Sequence, residues 1–236
     1  MIVSINQPGY LPWLGYFHRI AVSDLHIVLD RVQFEKNSFT NRNRVRTRDG
    51  PVWLTVPVRT KSRFGDLVID QVEIVGTQPW AAKHYQTLLH GYRKTAHFHA
   101  HEDFFADVYR RAWTHLAELN AYTTQYVLDA LHIGTPLRSS GTLPLRGRKS
   151  ELVLELCREV GATTYLSGPF GRDYLDEPAF AAVGIEVRYH DYAHPAYPQA
   201  FPGDFIPNMS AVDLLFNAGP ASRDILMSGA PPVARP

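Results

Sequence analysis

Apolar positions along the chain fall into two rhythms. Short unbroken runs recur at Ile2, Val3 and Ile5, at residues 25–29, at 163–167 and at 185–189. Runs of that length, bounded by turn residues, read as buried strands. Between them lie stretches with helical spacing: Trp13, Leu14, Tyr16, Phe17 and Ile20, then Leu152, Val153, Leu156, Cys157 and Val160, then a shorter one over 177–183. Strands alternating with helices predict an α/β fold, a mostly parallel Rossmann-like sheet flanked by helices. The span between the first two runs holds a crossover helix, so the chain opens as a βαβ unit. Asp49-Gly50 sits between strand-favouring residues and predicts a β-hairpin.

The rest of the pattern is less regular. Residues 61–65 read as a polar loop, 67–75 as a strand and 135–140 as a short strand. Residues 77–132 form a helical middle block, expected to be an insertion or cap over the crevice. Its first helix carries Trp80, His84, Leu88 and Tyr92, its second runs from Phe104 to Leu119, and its third covers 123–131. Residues 208–217 predict a helix with Ser210 as cap and Asp213 in the first turn. One domain over 1–220 and a flexible tail over 221–236, rich in Pro, Ala and Gly, complete the expected organisation.

The chemistry concentrates where the first strand ends. Gln7-Pro8-Gly9 breaks the strand, and Pro12 suits the first turn of the following helix, where its missing N–H costs nothing. In open α/β sheets the strand ends and the helix N-termini beyond them form the ligand crevice. Gln7, Tyr10, Trp13 and Tyr16 are therefore candidate substrate contacts. Asp30, at the end of the second run, faces the same edge as a candidate base. The segment Asn41-Arg42-Asn43-Arg44 reads as an irregular loop, and its amides and guanidiniums are donors suited to an anionic or carbonyl-rich molecule.

Composition narrows the class. The 236 residues are 45% hydrophobic and 20% charged, with a net charge of +1. Those values fit a globular protein and give no bulk drive toward nucleic acid. No apolar run approaches a membrane span, no signal peptide is visible, and the expected location is the cytoplasm. Cys157 is the one cysteine and falls on a helix face, so neither a disulfide nor a cysteine nucleophile is expected. There is no Gly-x-Ser-x-Gly elbow either.

Several motifs in order resemble the WbqC-like family: Gln7-Pro-Gly-Tyr-Leu-Pro-Trp-Leu-Gly-Tyr16, Asp30 with Val32-Gln33-Phe34, Asn41–Arg44, Trp53-Leu-Thr-Val-Pro57, Tyr165-Leu-Ser-Gly168 and residues 210–219. The resemblance covers nearly the whole chain. It implies a place among glycan and surface-polysaccharide biosynthesis functions. A remoter resemblance is to α/β nucleotidyltransferases with a His-x-Gly-His motif after the first strand. Here those positions are Trp13, Leu14, Gly15 and Tyr16, and only the glycine matches. The missing histidines argue against standard adenylyl transfer. By the same analogy Ser210 is a candidate phosphate contact.

The remaining candidates follow the later strands. Gly168-Pro-Phe-Gly171 would let backbone approach a phosphate, with Arg172 supplying charge and Asp173 a proton acceptor. His190, just past the last strand, is a second candidate base. His97, His99 and His101 lack a fourth ligand and a supporting acid, so no metal is expected. No cofactor is identified. The expected activity is that of a transferase or ligase acting on a small polar substrate such as a nucleotide-linked amino sugar. The alternative is a non-catalytic protein that binds such a molecule.

Overall fold

The computed structural model describes residues 1–60, 67–143 and 146–229. In chain order the elements are β1 (Ile2–Asn6), α1 (Leu14–Ala21), β2 (Leu25–Val28), β3 (Arg42–Thr47) and β4 (Gly50–Thr55). Three helices follow: α2 (Trp80–Tyr92), α3 (His99–Arg110) and α4 (Leu116–Ala130). The chain then runs through β5 (Leu137–Ser139), α5 (Lys149–Glu159), β6 (Thr164–Ser167), α6 (Glu177–Ala182), β7 (Glu186–Tyr189), α7 (Ala211–Ala218) and α8 (Ser222–Met227).

The five-stranded sheet has the order β5-β2-β1-β6-β7. Every neighbouring pair in it is parallel, with Ile5 opposite Ile27, Val3 opposite Tyr165, and Tyr165 opposite Val187. The fold is thus the expected α/β architecture with its hairpin, β3–β4, outside the main sheet. The chain builds outward from β1 to β2 and β5, then returns to the other side of β1 for β6 and β7. Strand order reverses between β1 and β6, and a crevice opens beyond the strand ends at such a point.

Residues of β1 are buried on both faces, as a central parallel strand requires. Val3 and Ile5 pack with Leu156, Cys157 and Phe180 of α5 and α6. The larger core joins Leu14, Phe17 and Ile20 of α1 to Leu88, Phe105, Leu119, Val127 and Phe216 of α2, α3, α4 and α7. Phe216 meets Tyr92, Phe98 and Phe105 edge-on, with ring centres 5.0 to 5.4 Å apart. That geometry favours aromatic quadrupoles.

The structure departs from the sequence reading at five places. Residues 67–75 are not a strand. Leu67, Ile69, Val72 and Ile74 are all buried, but Ile69 and Val72 lie three apart, and a 3₁₀ turn over Ile69–Gln71 brings both inward. The second helix of the middle block stops at Arg110, because bonds such as Ile74 N–H to Thr114 C=O hold the next residues extended. Leu116 and Leu119 therefore belong to α4. Residues 42–44, expected as loop, are already strand, since Arg42 pairs with Thr55 and Arg44 with Trp53. The tail is helical over Ser222–Met227, where Leu226 is buried; 230–236 lie outside the described residues, as does the expected loop at 61–65. Finally, α2–α4 form part of the main core rather than a cap.

Candidate functional site

A cleft of about 710 Å³ lies at the switch point. Its floor is the end of β1, Ile5 and Asn6. One wall is the loop after β1 with one face of α1: Gln7, Gly9, Trp13, Tyr16 and Arg19. A second wall comes from Glu35, Phe39, Asn43 and Arg44. The third is the strand end and loop after β6, including Tyr165, Gly168, Phe170 and Tyr174. No residue of α2–α4 lines it. A second hollow of about 750 Å³ lies at the hairpin tip, lined by Arg48, Arg93 and Lys94, and shares no residue with the cleft.

Backbone bonds stitch the two walls on the β1 side. Ser210 N–H donates to Arg44 C=O at 2.9 Å, Ala211 N–H donates to Pro12 C=O at 2.8 Å, and Trp13 bridges to Ser210. Inside the loop Leu11 holds a positive φ of 45°. A leucine there is strained by roughly 1–3 kcal/mol, and it persists because Asn43 Nδ2 donates to Leu11 C=O at 2.7 Å. Asn208, which also lines the cleft, has φ of 60°. Gly15 leaves room for the Trp13 ring, which occupies the space a Cβ would take.

The cleft is rich in donors that the protein leaves unused. Asn6 Nδ2, Arg19 Nε and Arg44 Nε are buried and have no partner among the described residues. Glu35, exposed, is the one carboxylate among the described lining residues. Burial pulls the Arg19 guanidinium below its usual range, partly offset by the phenols of Tyr165, Tyr16 and Tyr174. An arginine stays charged at neutral pH even so. Burial also raises the pKa values of those three tyrosines, so their hydroxyls remain donors.

Beside Arg19 lies a pair of imidazoles. His18 Nδ1 and His190 Nε2 are 2.7 Å apart, and Tyr192 stacks on His190. Burial holds His18 down to about 4. It holds His190 down to about 3, with the Arg19 and His18 charges acting the same way. At neutral pH both are uncharged, one donating its N–H to the other.

The structure divides the candidates named from sequence. Gln7, Trp13, Tyr16, Asn43, Arg44 and Gly168 share the cleft. The others lie outside its lining. Tyr10 is fully buried and its hydroxyl bonds His84 Nδ1 at 2.9 Å and Tyr109 at 2.6 Å, so it is a core residue. Asn41 is buried and donates to Val56 C=O, while Arg42 lies over the Trp53 ring at 4.5 Å. Asp30 accepts from Ser139 Oγ, Ser140 Oγ and Gly141 N–H, tying β2 to the end of β5. Arg172 forms a two-point pair with Asp191 at 3.0 and 2.8 Å, and Asp173 is exposed outside the cleft. Ser210 caps α7 by accepting from Val212 N–H. Asp30 and His190 follow the ends of β2 and β7, with β1 and β6 lying between those strands. Among the described residues no cluster of three or more His, Cys, Asp or Glu fits a metal ion. No described helix is long and apolar enough to cross a membrane.

The model of the WbqC-like protein family matches residues 7–225, from the cleft loop to α8. The chain belongs to that family. A similar relative is the uncharacterized protein Rv1507c of Mycobacterium tuberculosis, 38% identical over 226 residues, which cover 95% of this chain and 96% of the relative. No solved structure matches.

In this WbqC-like chain sequence reasoning missed Asn6, Glu35, Phe39, Phe170 and, most consequentially, Arg19. For Arg19 a signal was present: Gly15, Tyr16 and Arg19 stand at helical spacing on one face, and a cation there interrupts an apolar stripe. Asn6 was hidden because it ends an ordinary buried strand. Phe39 and Phe170 looked like loop hydrophobics, and nothing in the sequence placed them at one opening.

Proposed function

We propose that the switch-point cleft binds a small, acceptor-rich metabolite, and that the chain is a transferase or ligase acting on a nucleotide-linked amino sugar in glycan biosynthesis. The observation that carries this reading is the set of unpaired buried donors, Asn6 Nδ2, Arg19 Nε and Arg44 Nε, lining one cleft. An unsatisfied buried donor costs roughly 1–3 kcal/mol, and a carboxylate or phosphate would satisfy several at once. The family's resemblance to glycan-biosynthesis proteins supports the choice of substrate. Glu35, the one carboxylate among the described lining residues, would take the proton from an attacking amine or hydroxyl. Asp30 and His190 are less suited, because each is held by other partners and neither lines the cleft.

That same separation favours a second reading, a non-catalytic protein that binds or delivers such a molecule. A thermal-shift screen against nucleotides, nucleotide sugars and simple anions tests the binding. A molecule present at 100 times its Kd adds about 2.7 kcal/mol to stability. Arg19→Gln and Arg44→Ala should abolish the shift. Glu35→Gln then separates the readings: a transferase keeps binding and loses product formation, whereas a binding protein forms no product in either version.

A further inference from the structure

Two large apolar side chains stand uncovered at the mouth of the cleft. Phe39 is 58% exposed and Phe170 is 80% exposed. A single exposed phenylalanine needs no explanation. These two line the same cleft from opposite sides of the switch point, one before the hairpin and one after β6. Each also sits on a constrained stretch of backbone. Phe39 leans on Trp53 with ring centres 5.8 Å apart, and Arg42 backs Trp53 at 4.5 Å. Its carbonyl accepts from Tyr10 N–H at 3.0 Å, which fixes it to the loop after β1. Phe170 follows Pro169 in a 3₁₀ turn over Pro169–Asp173, where the proline ring restricts the backbone.

The cleft therefore has two unlike ends. Inside are the unpaired donors, with Arg19 against Gly168 and the phenols of Tyr16, Tyr165 and Tyr174. At the mouth are exposed rings that stack on flat π-systems. The volume lies within the range of about 300–1,000 Å³ found for small-molecule sites. We infer that the cleft takes a nucleoside phosphate with its anion inward on Arg19 and its base outward between Phe39 and Phe170. This assignment rests on the proposed anion-binding cleft and adds the orientation and the identity of the group at the mouth. Sequence-tolerant stacking would make the site a reader of the ring's presence more than of which base it carries.

The test compares AMP, UMP and inorganic pyrophosphate by calorimetry on the full chain. Wild type should bind both nucleotides and pyrophosphate. The double variant Phe39→Ala/Phe170→Ala should weaken the nucleotides by about tenfold or more and leave pyrophosphate affinity unchanged. Arg19→Gln should weaken all three. Both phenylalanines are exposed, so the double variant should keep the wild-type melting temperature. Nucleotide affinity within twofold of wild type in the double variant would overturn the inference while leaving the anion-binding reading intact. So would a wild type that binds pyrophosphate but neither nucleotide. A wild type that binds none of the three would remove the anion-binding reading itself, and the inference with it.

Discussion

Nη1 of Arg19 occupies the space where a Cβ at Gly168 would stand. Gly168 has φ of −71°, which any residue adopts, so the glycine is needed for room and not for backbone freedom. The conflict is with the far end of a long, flexible side chain. Gly168→Ala should therefore move the guanidinium and leave the fold alone. Unfolding free energy should stay within about 0.5 kcal/mol of wild type, while pyrophosphate affinity falls by tenfold or more. A folded Gly168→Ala protein with wild-type affinity would show that the residue is only a connector between β6 and the following turn.

Asn43 and Arg44 are neighbours in β3 with separable roles. The amide of Asn43 donates to Leu11 C=O at 2.7 Å and accepts from Arg44 N–H at 2.8 Å. It is 2% exposed. Removing it strands two backbone groups and releases the strained Leu11, so Asn43→Ala should cost about 1–3 kcal/mol of stability. Arg44 keeps an unpaired Nε in the cleft. Arg44→Ala should lower melting little and weaken anion binding, by about 1.5–3 kcal/mol for one charge-assisted hydrogen bond. Urea unfolding alongside calorimetry distinguishes the two; equal stability losses would refute the division.

Much of this architecture is legible in the amino-acid sequence. Short apolar runs locate β1, β2, β6 and β7, and the pattern is plainest at β1 and β6, which are buried on both faces. The Gln7 to Tyr16 stretch marks one wall of the cleft for the same reason that it breaks the strand. What stays hidden depends on tertiary partners. Tyr10 reads as a rim residue, but His84 and Tyr109, far along the chain, claim its hydroxyl. Asp30 reads as a base, but Ser139 and Ser140 take both its oxygens. Residues 67–75 carry strand-like composition, but the three-residue step from Ile69 to Val72 defeats a ladder. Long-range hydrogen bonds leave no local signature, and they decide which polar residues are free to act.

Asp213 shows the same principle as a stability device. Its position suggests a first-turn acid complementing the α7 dipole. It does stand in the first turn of α7, but it is also fully buried and accepts from Tyr92 at 2.6 Å, Tyr197 at 2.8 Å and Gln199 at 2.9 Å. Gln199 also meets Arg46, whose guanidinium donates to Asp204 C=O and Phe201 C=O. One carboxylate thus anchors α2, α7 and the segment after β7. Asp213→Asn turns an acceptor into a donor facing donors and should lose at least about 2 kcal/mol. Tyr197→Phe leaves two donors on the carboxylate and should lose about 1 kcal/mol. Denaturant midpoints check the ranking; an Asp213→Asn protein as stable as Tyr197→Phe would contradict the network.

The buried histidines give the protein a directional response to acid. Burial holds His18 and His84 down to about 4, and His26 and His190 down to about 3. In the unfolded chain a histidine titrates near 6.5. Between those values the unfolded state binds protons that the folded state refuses. Stability then rises with pH through that window. It is fully present above about pH 6.5 and is lost progressively as the pH falls toward 4 and 3. His18 and His190 share one hydrogen bond and lie beside Arg19, so protonating either one adds charge next to a buried cation. Melting temperatures at pH 7.5, 6 and 5 should therefore fall in that order. A His18→Asn/His190→Asn variant should show a shallower decline over the same range, even if its melting temperature at pH 7.5 is lower. Carboxylates cannot mimic this result, since the slope removed by the double variant belongs to the imidazole pair. A wild-type profile flat from pH 7.5 to 5, or an unchanged slope in the variant, would show that the pair does not carry the acid sensitivity.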